Sequence, residues 1–171
     1  MNIRVRKATI EDARQVAAVM NSVIAEGRYT IFDKPFSEDE ERAFIASLGS
    51  RAALHIAEVD GEIVGVQAIH LFFEFDADSV QHVATMGTWL RADVRGRGIG
   101  KLLSKESLRF AHEQGYRKIV INVLADNENA LRFYRSLGFQ DIGIAREHVK
   151  LSGTFHDEIY LEKFLSDQTT K

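Results

Sequence analysis

The residues best suited to chemistry form the run Val94-Arg95-Gly96-Arg97-Gly98-Ile99-Gly100-Lys101-Leu102-Leu103, in which glycines alternate among basic side chains. Residues 85–90 before it read as an extended segment. After it, Ile99, Leu102, Leu103, Phe110 and Ala111 recur near helical spacing up to a capping glycine at Gly115. Strand, glycine turn and helix in that order place the run at a helix N-terminus. The first turn of a helix leaves N–H groups without intrahelical partners, and the macrodipole adds partial positive charge, so a phosphate satisfies both. Glycines let it approach the backbone. Arg95, Arg97 and Lys101 add full charges that suit a pyrophosphate. Two other phosphate motifs do not fit. A P-loop needs Ser or Thr after Gly-Lys, but Leu102 follows Lys101, and arginine stands at position 95 where its first glycine belongs. The dinucleotide fingerprint is G-x-G-x-x-G, whereas Gly96, Gly98 and Gly100 are spaced G-x-G-x-G, and no acidic residue ends a following strand to hold a ribose.

A second constellation is Asn127-Glu128-Asn129-Ala130-Leu131-Arg132-Phe133-Tyr134-Arg135-Ser136-Leu137-Gly138-Phe139. At helical spacing Asn127, Ala130, Leu131 and Tyr134 share a face, so Asn127 and Tyr134 look toward one groove, with Phe133 and Leu137 toward the core. The two segments resemble the signatures of the GNAT N-acetyltransferase superfamily. Arg95, Gly98 and Gly100 match [Q/R]-x-x-G-x-[G/A], and the later run matches N-x-x-A-x-x-[F/L]-Y-x-x-x-G-F. The resemblance implies an α/β (α+β) fold, with a mixed central sheet of about seven strands flanked by about four helices. It also implies acetyl-CoA as co-substrate and direct transfer of its acetyl group to a primary amine. Leu90 and Ala92 would then hold the pantetheine arm through their backbone. The amides of Gly96, Arg97, Gly98, Ile99, Gly100 and Lys101 would hold the pyrophosphate, beside the Arg95 side chain. Asn122 and Asn127 are further partners for the arm. Tyr134 takes the position of the donor to the leaving thiolate, which a neutral hydroxyl helps to expel. A bulge near Ala92 and Asp93 is expected to splay the strand from a parallel neighbour, so that the arm can pair in the gap.

The general base is less legible. On the face of Leu90 lie Thr88, Met86, Ala84 and His82, with no carboxylate. His82 has a suitable reference pKa of ~6.5, and Glu26 sits beside the loop at Arg28 to Lys34. These two are the candidates. Glu147, His148, His156 and Asp157 could line the pocket from the closing strands, but their spacing matches no zinc motif, so no metal is expected. Without an evident base, a peptide or amino-acid α-amine, with a pKa of ~7.7–8.0, suits the site better than a lysine ε-amine at ~10.4. Arg28-Tyr29-Thr30 with Pro35-Phe36-Ser37 resembles the acceptor region of the phosphinothricin and amino-acid acetyltransferase branch. The closing Gly153-Thr154-Phe155-His156-Asp157-Glu158 is as similar to the ribosomal-protein and polyamine branches. The acceptor therefore stays open, as does a CoA-binding module without turnover.

The elements that must position these groups follow from periodicity and turn chemistry. Residues 3–6 alternate like a strand, and Thr9 with Asp12 opens a helix that ends at Gly27. Ser37 with Glu40 opens a second, with Phe44, Ile45 and Leu48 on its apolar face. Strands at 53–59 and 62–73 flank Asp60-Gly61, a hairpin signal. Residues 118–124 form a β-branched strand, Asp126 can cap the helix after it, and 139–144 and 155–164 close the sheet.

Bulk properties fit this picture. The chain has 171 residues, 45% hydrophobic and 27% charged, with a net charge of −3. That size predicts one domain over 1–165 with a polar tail at 166–171. The charge gives no reason to expect nucleic acid or an anionic membrane as partner. The absence of cysteine excludes disulfides and a cysteinyl acyl-enzyme. With no apolar signal core and no apolar run near ~18 residues, a cytoplasmic location is the default expectation. The apolar C-terminal segment, with Ile142, Ile144, Val149, Leu151, Phe155, Ile159 and Leu161, predicts a homodimer.

Overall fold

The computed structural model describes residues 2–73, 75 and 77–165, and the expected polar tail lies outside them. The strands are β1 (Ile3–Lys7), β2 (Ala53–Val59), β3 (Glu62–Leu71), β4 (Val83–Leu90), β5 (Lys118–Leu124), β6 (Gln140–Leu151) and β7 (Thr154–Phe164). The helices are α1 (Ala13–Ile24), α2 (Glu38–Ser47), α3 (Ile99–Glu113) and α4 (Glu128–Ser136). One mixed sheet of seven strands runs in the order β1-β2-β3-β4-β5-β7-β6.

Local chemistry sets the helix starts. The Asp12 carboxylate accepts the Thr9 N–H at 2.7 Å and holds the turn that leads into α1. Ser37 and Glu40 close a reciprocal box at the start of α2. On one face of the sheet Ala13, Val16, Val19 and Met20 of α1 pack with Leu54, Ile56, Val66 and Ala68. On the other, Phe110 and Ala111 of α3 and Leu131 and Tyr134 of α4 pack with Ile69, Met86, Ile119 and Ile121. Two expectations fail here. Phe44 stays 42% exposed, because α2 buries only Glu41 and Ile45. The cap of α4 is Asn127 rather than Asp126: Asn127 Oδ1 accepts the Ala130 N–H at 3.1 Å, while Asp126 meets His156 Nδ1 at 3.1 Å.

The feature that makes the site is a split in the middle of the sheet. The parallel strands β4 and β5 pair only at Val83 with Lys118 and Ala84 with Ile119. Beyond that point β4 stays paired to β3 as far as Leu90, and β5 to β7 as far as Leu124. Each half follows its own twist, and the edges facing each other diverge into a V. The expected bulge at Ala92 and Asp93 is absent. The β3–β4 register is unbroken, and Ala92–Val94 form a 3₁₀ turn outside the strand. The V therefore opens at Thr85, well before the residue expected to open it.

Strand β6 runs much further than the sequence pattern predicts. Its register against β7 slips between Asp141 and Gly143 and again between Ala145 and Val149, where Glu147 adopts φ +48°. These bulges break the alternation that would reveal one strand. No helix among the described residues is long and apolar enough to cross a membrane.

Candidate active site

The glycine run folds as a cradle. Gly96 and Gly98 have φ of +74° and +83°, a region that side chains disfavour, and Gly98 is the N-cap of α3. Among the described residues, no backbone carbonyl accepts from the amides of Gly96, Arg97, Gly98, Ile99 or Gly100. Lys101 departs from expectation, because its N–H donates to Gly98 O at 3.0 Å. Lys101 lines the cleft, and its positive charge is its contribution instead. The Ile99 side chain is buried in the core with Leu103 and Val64, which anchors the turn and leaves only its backbone to the cradle. Arg97 is exposed at the tip.

From the cradle a cleft of about 620 Å³ runs along the open edge of β4, lined by Leu90, Arg95, Lys101, Asn127, Phe133 and Tyr134 among others. Phe133 packs against the core, as expected, and is also part of the cleft wall. Its ring faces Gly100 so closely that a Cβ there would lie 3.0 Å from Cε2. Ala92 does not join the lining, and its carbonyl accepts the Arg95 N–H at 3.4 Å. The turn at residues 92–94 carries it off the strand edge.

Arg95 does not reach for phosphate. Its Nε donates to Leu90 O at 3.0 Å, one terminal nitrogen donates to Glu26 Oε2 at 2.8 Å, and the other bonds Oε1. The guanidinium also lies 4.9 Å from the Tyr29 ring centre. Two sequence expectations change as a result. The Leu90 carbonyl, assigned to the pantetheine arm, is already engaged by Arg95. The Glu26 carboxylate is held in a two-pronged ion pair, so it is not a free proton acceptor. His82 is excluded by place. It precedes β4 at the closed end of the V, about 20 Å of extended chain from Thr88.

Tyr134 is buried, yet its residue borders the cleft. The hydroxyl lies 2.9 Å from Thr88 Oγ1 on β4. Burial pushes its pKa up to about 12, against the opposing pull of the Thr88 hydrogen bond. The phenol is therefore fully protonated at neutral pH. Behind it Gln67 on β3 contacts Thr88 Oγ1 at 2.7 Å and Ser104 Oγ on α3 at 3.0 Å.

The opposite face of the V is built differently. Asn122 is brought there, away from Tyr134, since β5 alternates and Ile121 and Val123 take the face of Tyr134. Its Nδ2 donates to Glu158 Oε1 at 2.8 Å, so it is not an arm partner on the side of the cradle. Glu158 is only 2% exposed and its other oxygen lies 4.0 Å from His148 Nε2. It raises the pKa of Tyr160, together with burial. Glu158 is not among the candidates that the sequence spacing marks. The signal was a carboxylate at an inward phase of a closing strand. Asp157 accepts the Glu147 backbone N–H at 2.8 Å and His156 meets Asp126 at 3.1 Å, so Asp157, His156 and Asp126 are engaged locally. Phe32 packs on Trp89 at 6.0 Å and on Phe36 at 5.1 Å, walling this face with the loop after α1. Among the described residues no group of His, Asp and Glu has metal-ligating geometry.

Known proteins are similar to this chain in sequence and in fold. Bacillus subtilis YwnH, which carries a provisional phosphinothricin acetyltransferase name, is 24% identical over 163 residues, 94% of this chain and 98% of that protein. The N-acetylaspartate synthetase of Xenopus tropicalis is 30% identical over 111 residues, covering 65% of this chain and 38% of that protein. A phosphinothricin acetyltransferase from Sinorhizobium meliloti, solved in complex with acetyl-CoA, has the same fold. It superimposes with a TM-score of 0.88 at 21% identity, over 100% of this chain and 93% of that one. Residues 18–139, from the middle of α1 through α4, match the family described as Acetyltransferase (GNAT), and the chain belongs to it.

Proposed function

We propose that the protein transfers the acetyl group of acetyl-CoA directly to the primary amine of a small amino-acid-like molecule or a peptide N-terminus, with Tyr134 as the acid that meets the leaving thiolate. The nitrogen–carbon bond forms as the carbon–sulfur bond breaks, and the electron pair leaves on sulfur as the CoA thiolate. The proton lost by the amine passes to solvent, from which the thiolate is protonated. The amides of residues 96–100 and Lys101 suit the pyrophosphate, and the open edge of β4 suits the pantetheine arm.

The observation that carries this reading is the buried, protonated Tyr134 hydroxyl at the wall of the V. With its pKa near 12 it does not hand over its proton readily to a thiolate with a reference pKa of ~8.5. It acts as a hydrogen-bond donor that strengthens as charge grows on sulfur, which is transition-state stabilisation. The same dry surroundings raise the thiol pKa and narrow the gap.

An α-amine acceptor is supported by two findings. Glu26 is ion-paired and His82 is remote, so neither sequence candidate is placed to deprotonate a lysine-like amine. The named relatives include a synthetase of N-acetylaspartate, an acetylated amino acid. The test measures release of free CoA from acetyl-CoA across amino acids, polyamines and N-terminal peptides. Turnover with an amino acid or peptide is expected. Tight CoA binding with no amine-dependent release would instead favour the binding module.

A homodimer is part of the same reading. Ile142, Ile144, Phe155 and Phe164 of the β6–β7 hairpin are exposed. Leu151 and Leu161 belong to the core instead, at 7% and 0% exposure, which narrows the proposed interface to the first set.

A further inference from the structure

The hydrogen bonds behind Tyr134 have a direction. Gln67 is completely buried, and its amide Nε2 contacts both Thr88 Oγ1 and Ser104 Oγ. An amide nitrogen only donates, so the Thr88 oxygen accepts from Gln67. Either hydroxyl can donate in the 2.9 Å contact between Thr88 and Tyr134. If Tyr134 donated, Thr88 would accept twice and its own hydrogen would have no acceptor among the described residues, whereas with Thr88 donating only the Tyr134 hydrogen is left for the cleft. In that arrangement the Tyr134 hydroxyl, which has no other hydrogen-bond partner among the described residues, directs its hydrogen away from Thr88. We infer that Gln67 and Thr88 are positioning residues that turn the Tyr134 O–H outward to the cleft, where the sulfur of an acyl thioester would receive it. This rests on the reading of Tyr134 as the donor to the thiolate.

Two further observations support the inference. Gln67 Oε1 has no hydrogen-bond partner among the described residues although the side chain is fully buried. A side chain there for packing alone would do better as an apolar one of similar size, because an orphaned buried carbonyl destabilises the fold. Its donor end is the part with a use. Ser104 also lies on α3, the helix whose N-terminus forms the cradle. The chain Ser104, Gln67, Thr88, Tyr134 therefore links the element that would hold the phosphates to the group that would meet the sulfur. Ser104 accepts from Gln67 and so holds its amide in place, while the Gln67 and Thr88 donors polarise the phenol and make it a better donor.

The test uses the intact protein, acetyl-CoA and an accepted amine, and reads the single-turnover rate of CoA release together with Tm. Gln67→Met is expected to leave Tm unchanged or higher while slowing release about 3- to 10-fold, the scale of one neutral hydrogen bond. Thr88→Val should slow it about 5- to 20-fold with KM for acetyl-CoA within about 2-fold, and Thr88→Ser should restore most of the rate. In a Tyr134→Phe background Thr88→Val should cost less than about 2-fold more, since the two act as one unit. If Tyr134→Phe is slow but Thr88→Val and Gln67→Met are not, the positioning role is overturned and the Tyr134 reading stands. If Tyr134→Phe itself has no effect, both fall. A Gln67→Met protein whose rate falls only in step with Tm, or an undiminished Thr88→Val cost in the Phe background, also overturns it.

Discussion

Tyr134→Phe removes one oxygen and keeps the ring, which packs against Phe139 at 5.5 Å and Phe133 at 5.0 Å. The magnitude follows from the state of the phenol. A general acid well matched in pKa contributes about 10²- to 10⁴-fold. A phenol held near 12 is poorly matched to a thiolate and works through a hydrogen bond to a charge. Such a bond is worth about 1.5–3 kcal/mol, which converts to roughly 10- to 150-fold. The expected loss in single-turnover rate is therefore at the lower end, with KM for acetyl-CoA nearly unchanged, because the interaction grows only as the carbon–sulfur bond breaks. Losing the bond to Thr88 should cost about 1 kcal/mol of stability, or about 2–4 °C in Tm. Since the acting form is protonated, rate must be lost as pH rises through the phenol pKa, and no alkaline fall assignable to Tyr134 should appear below about pH 10. CoA release followed by a thiol reagent gives the rate, and calorimetry the Tm. A Phe variant within about 3-fold of the parent, with chemistry shown to be rate-limiting, would refute the argument.

Other consequences are equally open to measurement. Glu26→Gln should change the rate less than about 3-fold and leave the acid limb of the pH profile in place, whereas a large loss with that limb abolished would restore Glu26 as a base. Gly100→Ala should weaken acetyl-CoA binding with little change in Tm, because the new Cβ meets the flexible Phe133 side chain at 3.0 Å and pushes it into the cleft. Gly98→Ala should do the reverse, lowering Tm by about 3–8 °C through its left-handed φ, since nothing lies within 4 Å of the added carbon; equal binding losses in both variants would count against this geometry. His55 is buried beside Ser107, and burial lowers its pKa to about 4 from 6.5. The unfolded chain therefore binds the proton first as pH falls, so this residue's share of stability is present above about 6.5 and is lost progressively down to about 4, up to about 3 kcal/mol. Thermal melts of His55→Gln against the parent should show a flatter acid limb; parallel limbs would remove His55 from the account.

What the sequence revealed is what local spacing encodes. The cradle is a contiguous run, and α4 announces itself by Asn127, Tyr134 and Gly138 at fixed offsets, so both could be read residue by residue. The failures share a cause. Arg95 and Glu26 lie 69 positions apart, Thr88 and Tyr134 46, and Gln67 and Thr88 21. Polar contacts at such separations leave no period. Without them Glu26 looks like a solvated carboxylate and Arg95 like a phosphate ligand. The one available hint was Gln67 itself, a polar side chain in an otherwise apolar run from Ile63 to Ile69. Strand β6 was hidden by its own bulges, which shift the inward phase twice within one strand.

The split divides the hydrogen-bonded framework of the sheet into two halves that share one core. Only two residue pairs join β4 to β5. Beyond them β1 to β4 form one hydrogen-bonded slab and β5 to β7 another, with α3 and α4 packed in one core against both. Tyr134 lies on α4, which follows β5, and its partner Thr88 on β4, so their hydrogen bond bridges the two sides of the split. A ligand arm threaded between the slabs would supply the missing rungs and stiffen the joint. Catalytic alignment and structural rigidity would then arrive together with the co-substrate, and changes far out on either slab could detune the reaction by altering the angle at which the two meet.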